Sequence, residues 1–265
     1  MNITKPIALE DLNNLNIGKG VVLSADNIEN INTSYYKKKS VTGAASGAAA
    51  SPSYNNIPTN NTVNNVPVNN TVQMPVKHIV LPRFIRQASK GQKLPLNFSG
   101  NKLRVNFGWN VKNAACDVDV SAFMLGNTGK VVGDDYFVFY GQEISPERSI
   151  SFKNVENENV NQVFDIDLSI LSPAVSKIVF VMTINEALEK SLNFSMIADA
   201  YIQITESNTG NEIASFLINE YYNNINSMMM GEIYLYNGAW KFNAVGNGVN
   251  RDLAGLCELY GVQVV

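Results

Sequence analysis

The feature that most restricts the fold of this chain is a series of short apolar segments, separated by turn sequences, that begins after residue 76. The turns include 126–129, 207–210 and the pair Asn237-Gly238, which accepts positive φ at both central positions of a tight hairpin. Many short strands with few helices predict an all-β fold, and we expect a β-sandwich of two mainly antiparallel sheets. Nine segments have the length and apolar pattern of β-strands: 103–109, 118–125, 136–140, 163–168, 177–184, 200–205, 212–218, 229–236 and 240–245.

Helical periodicity is sparse. The sequence predicts short helical pieces at 186–191 and 194–199. It also predicts a final helix at 251–260, where Leu253, Leu256 and Tyr260 share one face. We therefore expect a few short helices added to the sheets.

Composition divides the chain into three parts. Residues 33–76 are of low complexity, rich in Asn, Pro and small side chains, and predict a flexible, disordered linker. The alternative for the lysines at 37–39 is contact with an anionic membrane surface. Residues 1–32 are too few to bury a core of their own, so we expect a short segment that docks on the main domain or on another subunit. Residues 77–265 form the predicted sandwich domain.

Composition also excludes several classes of function. A single His cannot supply a mechanism that needs two imidazoles, and a formal net charge of −3 provides no basic field for nucleic acid. Two cysteines, Cys116 and Cys257, are too few for a disulfide framework, so we expect buried thiols and a reducing cytoplasm. We expect no targeting segment and no apolar run of the roughly 20 residues that cross a bilayer.

Four aspartates occur in two neighbouring motifs, Asp117 with Asp119 and Asp134 with Asp135. If the hairpin turns at 127–129, Asp135 lies opposite residue 120 or 121, within one or two register steps of Asp119. Two carboxylates about 5 Å apart repel by about 3 kcal/mol at an effective dielectric near 20, which protonation, backbone amides or a cation can relieve. With no imidazole or thiolate pair nearby, an all-oxygen site on flexible loops favours Ca²⁺ over Mg²⁺.

Two other interpretations of these aspartates remain open. They can cap turns in water and bind nothing. They can also form the carboxylate pair of a glycosidase, but such a pair needs one protonated carboxyl in an apolar pocket across a sugar-sized gap. Crowding of the acids on one hairpin fits cation binding better.

Separated sequence blocks between residues 79 and 265 resemble the TerD-like family of tellurium resistance and bacterial stress-response proteins, and they occur in the order typical of that family. The blocks are Gly-Trp at 108–109, Asp-Val-Asp-Val-Ser-Ala-Phe at 117–123, Asp-Asp-Tyr-Phe-Val-Phe-Tyr at 134–140, Lys-Ile-Val-Phe-Val at 177–181, Gly-Glu-Ile-Tyr at 231–234, Trp-Lys-Phe-Asn-Ala-Val-Gly-Asn-Gly at 240–248 and Leu-Ala-Gly-Leu-Cys at 253–257.

The resemblance implies a cytoplasmic, non-enzymatic β-sandwich that binds Ca²⁺ in an acidic groove. Matched by motif, the implied ligands are Asp117, Asp119, Asp134 and Asp135. This chain has Asn110 where the family has Asp after Gly-Trp. At 156–162, where the family has an Asp- and Gly-rich loop, this chain keeps Glu158 among amide side chains. We include Asn110 and Glu158 as candidate ligands and expect weaker Ca²⁺ binding, because fewer charges coordinate the ion.

The sequence therefore supports two hypotheses. The first is a calcium-binding stress-response protein, not an enzyme, whose cation organises a surface for a partner or ligand. The alternative is a metal-independent interaction module of the same fold that acts through oligomerisation and its N-terminal segment. The implied partners are other stress-response proteins of the Ter type, in assemblies near the membrane, or further copies of the chain.

Overall fold

A computed structural model describes residues 78–155 and 157–263, and within them the chain forms two antiparallel β-sheets and one short α-helix. The helix is α1 (Leu253–Tyr260). The strands are β1 (Lys93–Pro95), β2 (Lys102–Val111), β3 (Val118–Leu125), β4 (Phe137–Val138), β5 (Ile150–Asn154), β6 (Gln162–Asp167), β7 (Lys177–Ile184), β8 (Ile197–Glu206), β9 (Glu212–Leu217), β10 (Ser227–Tyr236) and β11 (Ala239–Val249).

The strand order is β1-β11-β10-β7-β3-β4 in the six-stranded sheet and β5-β6-β2-β8-β9 in the five-stranded sheet. The all-β sandwich expected from the sequence is confirmed. The predictions for residues 1–32 and 33–76 lie outside the described residues. Among the described residues, no helix has the length and apolar character needed to cross a membrane.

The main core lies between the two sheets because alternate residues of each strand point inward. Phe107 and Phe164 of the five-stranded sheet meet Phe180 of the other sheet, with ring centroids 5.3 to 5.8 Å apart. Burial of these aromatic rings stabilises the packing at the centre of the sandwich.

The helix α1 covers part of the other face of the six-stranded sheet. Tyr260 packs on Phe123, which stacks on Phe137 with centroids 4.4 Å apart. Asp252 caps the helix by accepting the Gly255 N–H, and Gly261 ends it at φ 77°, a value that favours glycine. The expected final helix is therefore confirmed, with a start two residues later than predicted.

Several predicted element limits agree with the structure and others do not. The strands at 118–125 and 177–184 match β3 and β7, and the hairpin at Asn237-Gly238 has φ 50° and 76°. The predicted strand 136–140 is reduced to β4, because a 3-10 helix occupies Asp134–Tyr136. The predicted helix 186–191 is a series of turns, and only Phe194–Met196 of the second predicted helix is helical, as a 3-10 turn before β8.

A segment that we call the strap, residues 79–87, runs over the outer face of the five-stranded sheet. Ile79 is buried at one end, and Phe84 packs edge-on against Tyr201 in the middle, with centroids 5.3 Å apart. At the other end Gln87 forms a parallel bridge with Ser215 of β9. The end of the strap therefore pairs with the outer edge of β9 at Ser215.

Candidate functional site

The expected proximity of Asp119 and Asp135 is wrong, because the hairpin between them changes register. The turn itself is as predicted, with the Gly126 N–H donated to the Lys130 carbonyl at 2.9 Å. Leu125 is then bridged to Val131, whereas Phe123 pairs with Phe137, so two steps along β3 correspond to six along its partner. The 3-10 helix takes up this difference. Asp135 lies in this 3-10 helix, beyond the Phe123–Phe137 pair on the Leu125 side, and so away from Asp119.

Asp134 and Asp135 hold local structure at the surface. The Asp134 carboxylate accepts the Gln263 N–H at 2.7 Å and so fixes the chain just after α1. The Asp135 carbonyl accepts a hydrogen bond from the Gln142 side chain at 2.7 Å. Both side chains are exposed. The structure therefore places the second acidic motif at the C-terminal segment, away from the first.

Asp117 and Glu158 also have local partners. The Asp117 carbonyl accepts the Asn185 N–H at 2.8 Å, and its carboxylate accepts the Asn185 side-chain amide at 3.3 Å. Glu158 contributes its carbonyl, which accepts the Val80 N–H of the strap at 2.7 Å, while its side chain is exposed. The described geometry does not bring these two carboxylates into one site with Asp134 or Asp135.

Asp119 belongs to a polar group that sequence reasoning missed, the amide cluster of Asp119, Asn154 and Gln162. The Gln162 side chain, 3% exposed, donates its N–H₂ group to the Asp119 carboxylate and to the Asn154 oxygen, each at 2.9 Å. Its own oxygen accepts the Val120 N–H at 2.7 Å. One side chain of β6 thereby joins the two sheets.

The position of Gln162 follows from the sheet topology. The strand β4 pairs only with Ala122 and Phe123, so the first residues of β3 have a strand partner on one side only. A buried N–H without a partner costs about 1–3 kcal/mol, so Val120 requires an acceptor. Gln162 supplies it, because its side chain points inward with the core residues Phe164 and Ile166.

A second carboxylate receives a side-chain amide near the strap. Asn110 accepts the Ile79 N–H at 2.8 Å and donates to the Ile79 carbonyl at 3.2 Å and to the Asp199 carboxylate at 2.9 Å. Asp199 lies at φ 55°, where β8 bulges against β2. Asp tolerates this left-handed conformation better than most residues. The bulge turns its carboxylate towards Asn110.

The loop 157–161 completes this side of the molecule with further amides. Asn161 accepts the Trp109 N–H at 2.9 Å, and Asn159 donates to the Val80 carbonyl at 2.7 Å. The Tyr201 hydroxyl donates to the Asn159 carbonyl, and burial raises the pKa of Tyr201. Side-chain amides therefore fasten the loop both to β2 and to the strap.

The family to which this fold and these motifs correspond is the TerD domain family, which matches residues 86–260. This chain belongs to the TerD domain family. The resemblance inferred from the sequence blocks is confirmed. Most of the strap precedes the matched residues.

Named relatives of this TerD-family chain come from several bacteria. Tellurium resistance protein TerD of Serratia marcescens is 32% identical over 184 residues, 66% of this chain and 96% of that protein. General stress protein 16U of Bacillus subtilis is 31% identical over 191 residues, 66% of this chain and 97% of that protein. Chemical-damaging agent resistance protein B of Clostridium acetobutylicum is 38% identical over 99 residues, 37% of this chain and 71% of that protein.

The described oxygen donors of this TerD-family chain, in residues 78–155 and 157–263, do not converge on one point as a tightly bound calcium ion would need. Calcium takes six to eight oxygen ligands that converge on one point. Within residues 78–155 and 157–263, no three His, Cys, Asp or Glu side chains are grouped closely enough to hold a metal. In the amide cluster an N–H₂ group, which is a donor, stands between the Asp119 and Asn154 oxygens. The Gln162 amide therefore bridges the Asp119 and Asn154 oxygens by donating to both.

Proposed function

We propose that this TerD-family chain works in a chemical stress response without catalysis, as an interaction module that contacts a second copy of itself through the strap. The names of its relatives refer to tellurium resistance, general stress and resistance to chemical damage. Tyr201 and Cys257 are among the described side chains with the most strongly raised pKa values, and burial is the main cause of both shifts. Packing therefore accounts for these shifts without a catalytic role. We place the protein in the cytoplasm, because its two free cysteines are typical of a reducing compartment.

The observation that carries the proposal is the outward face of the strap. Val80, Leu81 and Ile85 are 63%, 37% and 74% exposed, although each is apolar. Arg83 and Arg86 lie beside them, exposed, and neither forms an ion pair with the described residues. An apolar patch with arginines at its border is typical of a protein–protein interface.

Charge distribution favours a second copy as the occupant of this face. Residues 77–116 contain eight Lys or Arg and no Asp or Glu, whereas the rest of the chain contains 12 and 23. The strap adds Arg83 and Arg86, unpaired among the described residues, to this basic part of the chain, which complements the acidic remainder of another copy. Such a contact is head-to-tail, and complementary charges increase the rate of association.

Sedimentation velocity of the full chain tests this proposal. Between about 1 and 200 µM protein, we expect the weight-average sedimentation coefficient to rise with concentration. Replacement of Ile85 by Asp should abolish the rise. The matched control is Ile170→Asp, which places the same charge at an apolar residue that is 49% exposed in a turn away from the strap.

Salt dependence tests the charged part of the contact. Raising NaCl from about 50 to 500 mM should weaken association, because screening acts on exposed charges. A sedimentation coefficient that stays constant with concentration would refute the proposal. Binding of the monomer to anionic vesicles, or to another Ter-type protein, in place of self-association would also count against it. Either kind of binding would involve the strap only if Ile85→Asp abolished it.

A tightly bound calcium ion is not part of this proposal. The chemistry of Gln162 and Asn110 supports the metal-independent hypothesis, because each places a donor N–H against a carboxylate. The interaction surface on the strap is held by hydrogen bonds within the chain, and we propose that it needs no cation to form.

A further inference from the structure

We propose that two side-chain amides, those of Gln162 and Asn110, replace a cation in this TerD-family chain and make its fold independent of calcium. Each amide donates an N–H to a carboxylate at 2.9 Å, Gln162 to Asp119 and Asn110 to Asp199. These contacts lie in loops and at strand edges behind the strap. Thermal unfolding tests them separately from self-association.

An amide carries an N–H₂ donor where a carboxylate of the same shape carries a second oxygen. If Gln162 were Glu, the group facing Asp119 at 2.9 Å would be an oxygen with negative charge in place of an N–H₂ donor. Two carboxylates at that distance repel strongly when both are partly buried, and a proton or a cation must relieve the repulsion. As Gln, the same side chain turns the contact into a hydrogen bond with no further requirement.

Asn110 likewise has a donor where an aspartate would have a second oxygen. The Asn110 oxygen accepts the Ile79 N–H, and its N–H₂ group is shared by the Ile79 carbonyl and the Asp199 carboxylate. An Asp at this position could keep the first bond but would set an oxygen against two acceptors. Asn satisfies all three partners because it carries both a donor and an acceptor.

These two amides hold the elements that a cation would otherwise have to organise. Gln162 connects β3 to β6 and to the end of β5. Asn110 connects β2 to β8 and to the first residue of the strap. Both contacts form within one chain and need no ion, so the fold keeps its arrangement when metal is absent.

Thermal unfolding of the full chain, in EDTA and with added CaCl₂, tests the proposal. For the unmodified protein we expect the same Tm within about 1 °C in EDTA and in about 5 mM Ca²⁺, because no cation contributes to the folded state. For Gln162→Glu we expect a Tm lower by roughly 5–10 °C in EDTA. Calcium should restore much of that loss, since the new carboxylate and Asp119 then share a cation.

The matched control is Gln203→Glu. Gln203 of β8 also donates to a carboxylate, that of Glu212, at 3.0 Å, but away from the amide cluster. We expect this variant to lose Tm in EDTA with less recovery in calcium, because the pair at 203 lacks the third oxygen that Asn154 adds at 162. Gln162→Leu, which removes the amide without adding a charge, should lose Tm and show no recovery.

Asn110→Asp provides a second variant if Gln162→Glu fails to fold, and it should likewise gain a calcium-dependent Tm. Two results would overturn the proposal. One is a clear rise of the Tm of the unmodified protein with calcium. The other is equal recovery of Gln203→Glu and of the variants at 162 and 110, since calcium would then act on charge in general.

Discussion

Replacement of Gly108 by Ala tests how the strap is seated. Gly108 of β2 lies where the strap, β8 and the loop 157–161 approach one another. A Cβ built on it would stand 2.3 Å from the Tyr201 ring, 2.7 Å from the Ile79 side chain and 2.8 Å from the Asn159 carbonyl. Real Cβ contacts are essentially never shorter than 3.0 Å, so the ring alone must withdraw from 2.3 Å to at least that distance. Alanine therefore cannot fit unless all three neighbours move.

The cost follows from these contacts. Forcing an extra methyl group into a packed site typically destabilises by about 1–3 kcal/mol. Withdrawal of the Tyr201 ring also loosens its hydrogen bond to Asn159, which adds about 1 kcal/mol. For a domain of this size about 1 kcal/mol lowers the Tm by roughly 2–4 °C, so we expect a fall of roughly 4–16 °C.

Circular dichroism gives the Tm, and hydrogen exchange locates the change. Amides of the strap, including Val80, should exchange faster in Gly108→Ala, while those of β3 and β7 change little. Gly126→Ala is a graded control, because its Cβ would meet its nearest neighbours at 3.1 and 3.2 Å. Its Tm loss should be smaller. An unchanged Tm together with unchanged exchange in the strap would refute the reasoning.

Two further predictions concern ionisable groups. Burial acts to raise the pKa of Glu212, but hydrogen bonds from the Arg86 N–H and other donors outweigh it and lower the pKa. The hydrogen bonds to the ionised Glu212 therefore stabilise the fold above the pKa that this group has in the unfolded chain, and this stabilisation is lost as the pH falls through its pKa in the folded chain. The Ile85 and Arg86 amides should lose exchange protection below about pH 4. Unchanged protection at about pH 3 would contradict this. Burial raises the pKa of Cys257 to about 12. Iodoacetamide at about pH 8 should therefore modify this thiol only after unfolding, and peptide mass spectrometry showing rapid labelling of the native chain would disprove it.

The sequence predicts those strands whose own apolar pattern is long enough to recognise. The strand β7 is eight residues of nearly continuous apolar side chains, and its limits were predicted correctly. The strand β1 was missed because its three residues contain one large apolar side chain and a proline. Its pairing with β11 depends on tertiary contacts that no local pattern records. The five-residue β5 was missed because its alternation rests on Ile150 and Phe152 alone.

The candidate site was predicted less well because it depends on register. The predicted register requires a tight turn that continues directly into paired strands, whereas the 3-10 helix at Asp134–Tyr136 separates the two acidic motifs. Gln162 did carry a usable signal. It is a polar residue at an inward-facing position, in phase with Phe164 and Ile166, and such a residue requires buried partners. Asp199 carried no comparable signal, since its positive φ arises from the bulge between β2 and β8.

The distribution of amides and carboxylates indicates where this protein can respond to its surroundings. Asn and Gln side chains do not titrate, so the contacts of Gln162 and Asn110 keep their donors and acceptors at any physiological pH. The far end of the strap depends on the Glu212 carboxylate, which accepts the Ile85 and Arg86 N–H groups at 3.0 and 2.7 Å. The Glu212 anchor can be weakened by protonation or by competing charge, whereas the two hydrogen bonds between Asn110 and the Ile79 backbone contain no ionisable group. We therefore expect acid or competing charge to loosen the strap first at Glu212 and to leave the end near Ile79 in place.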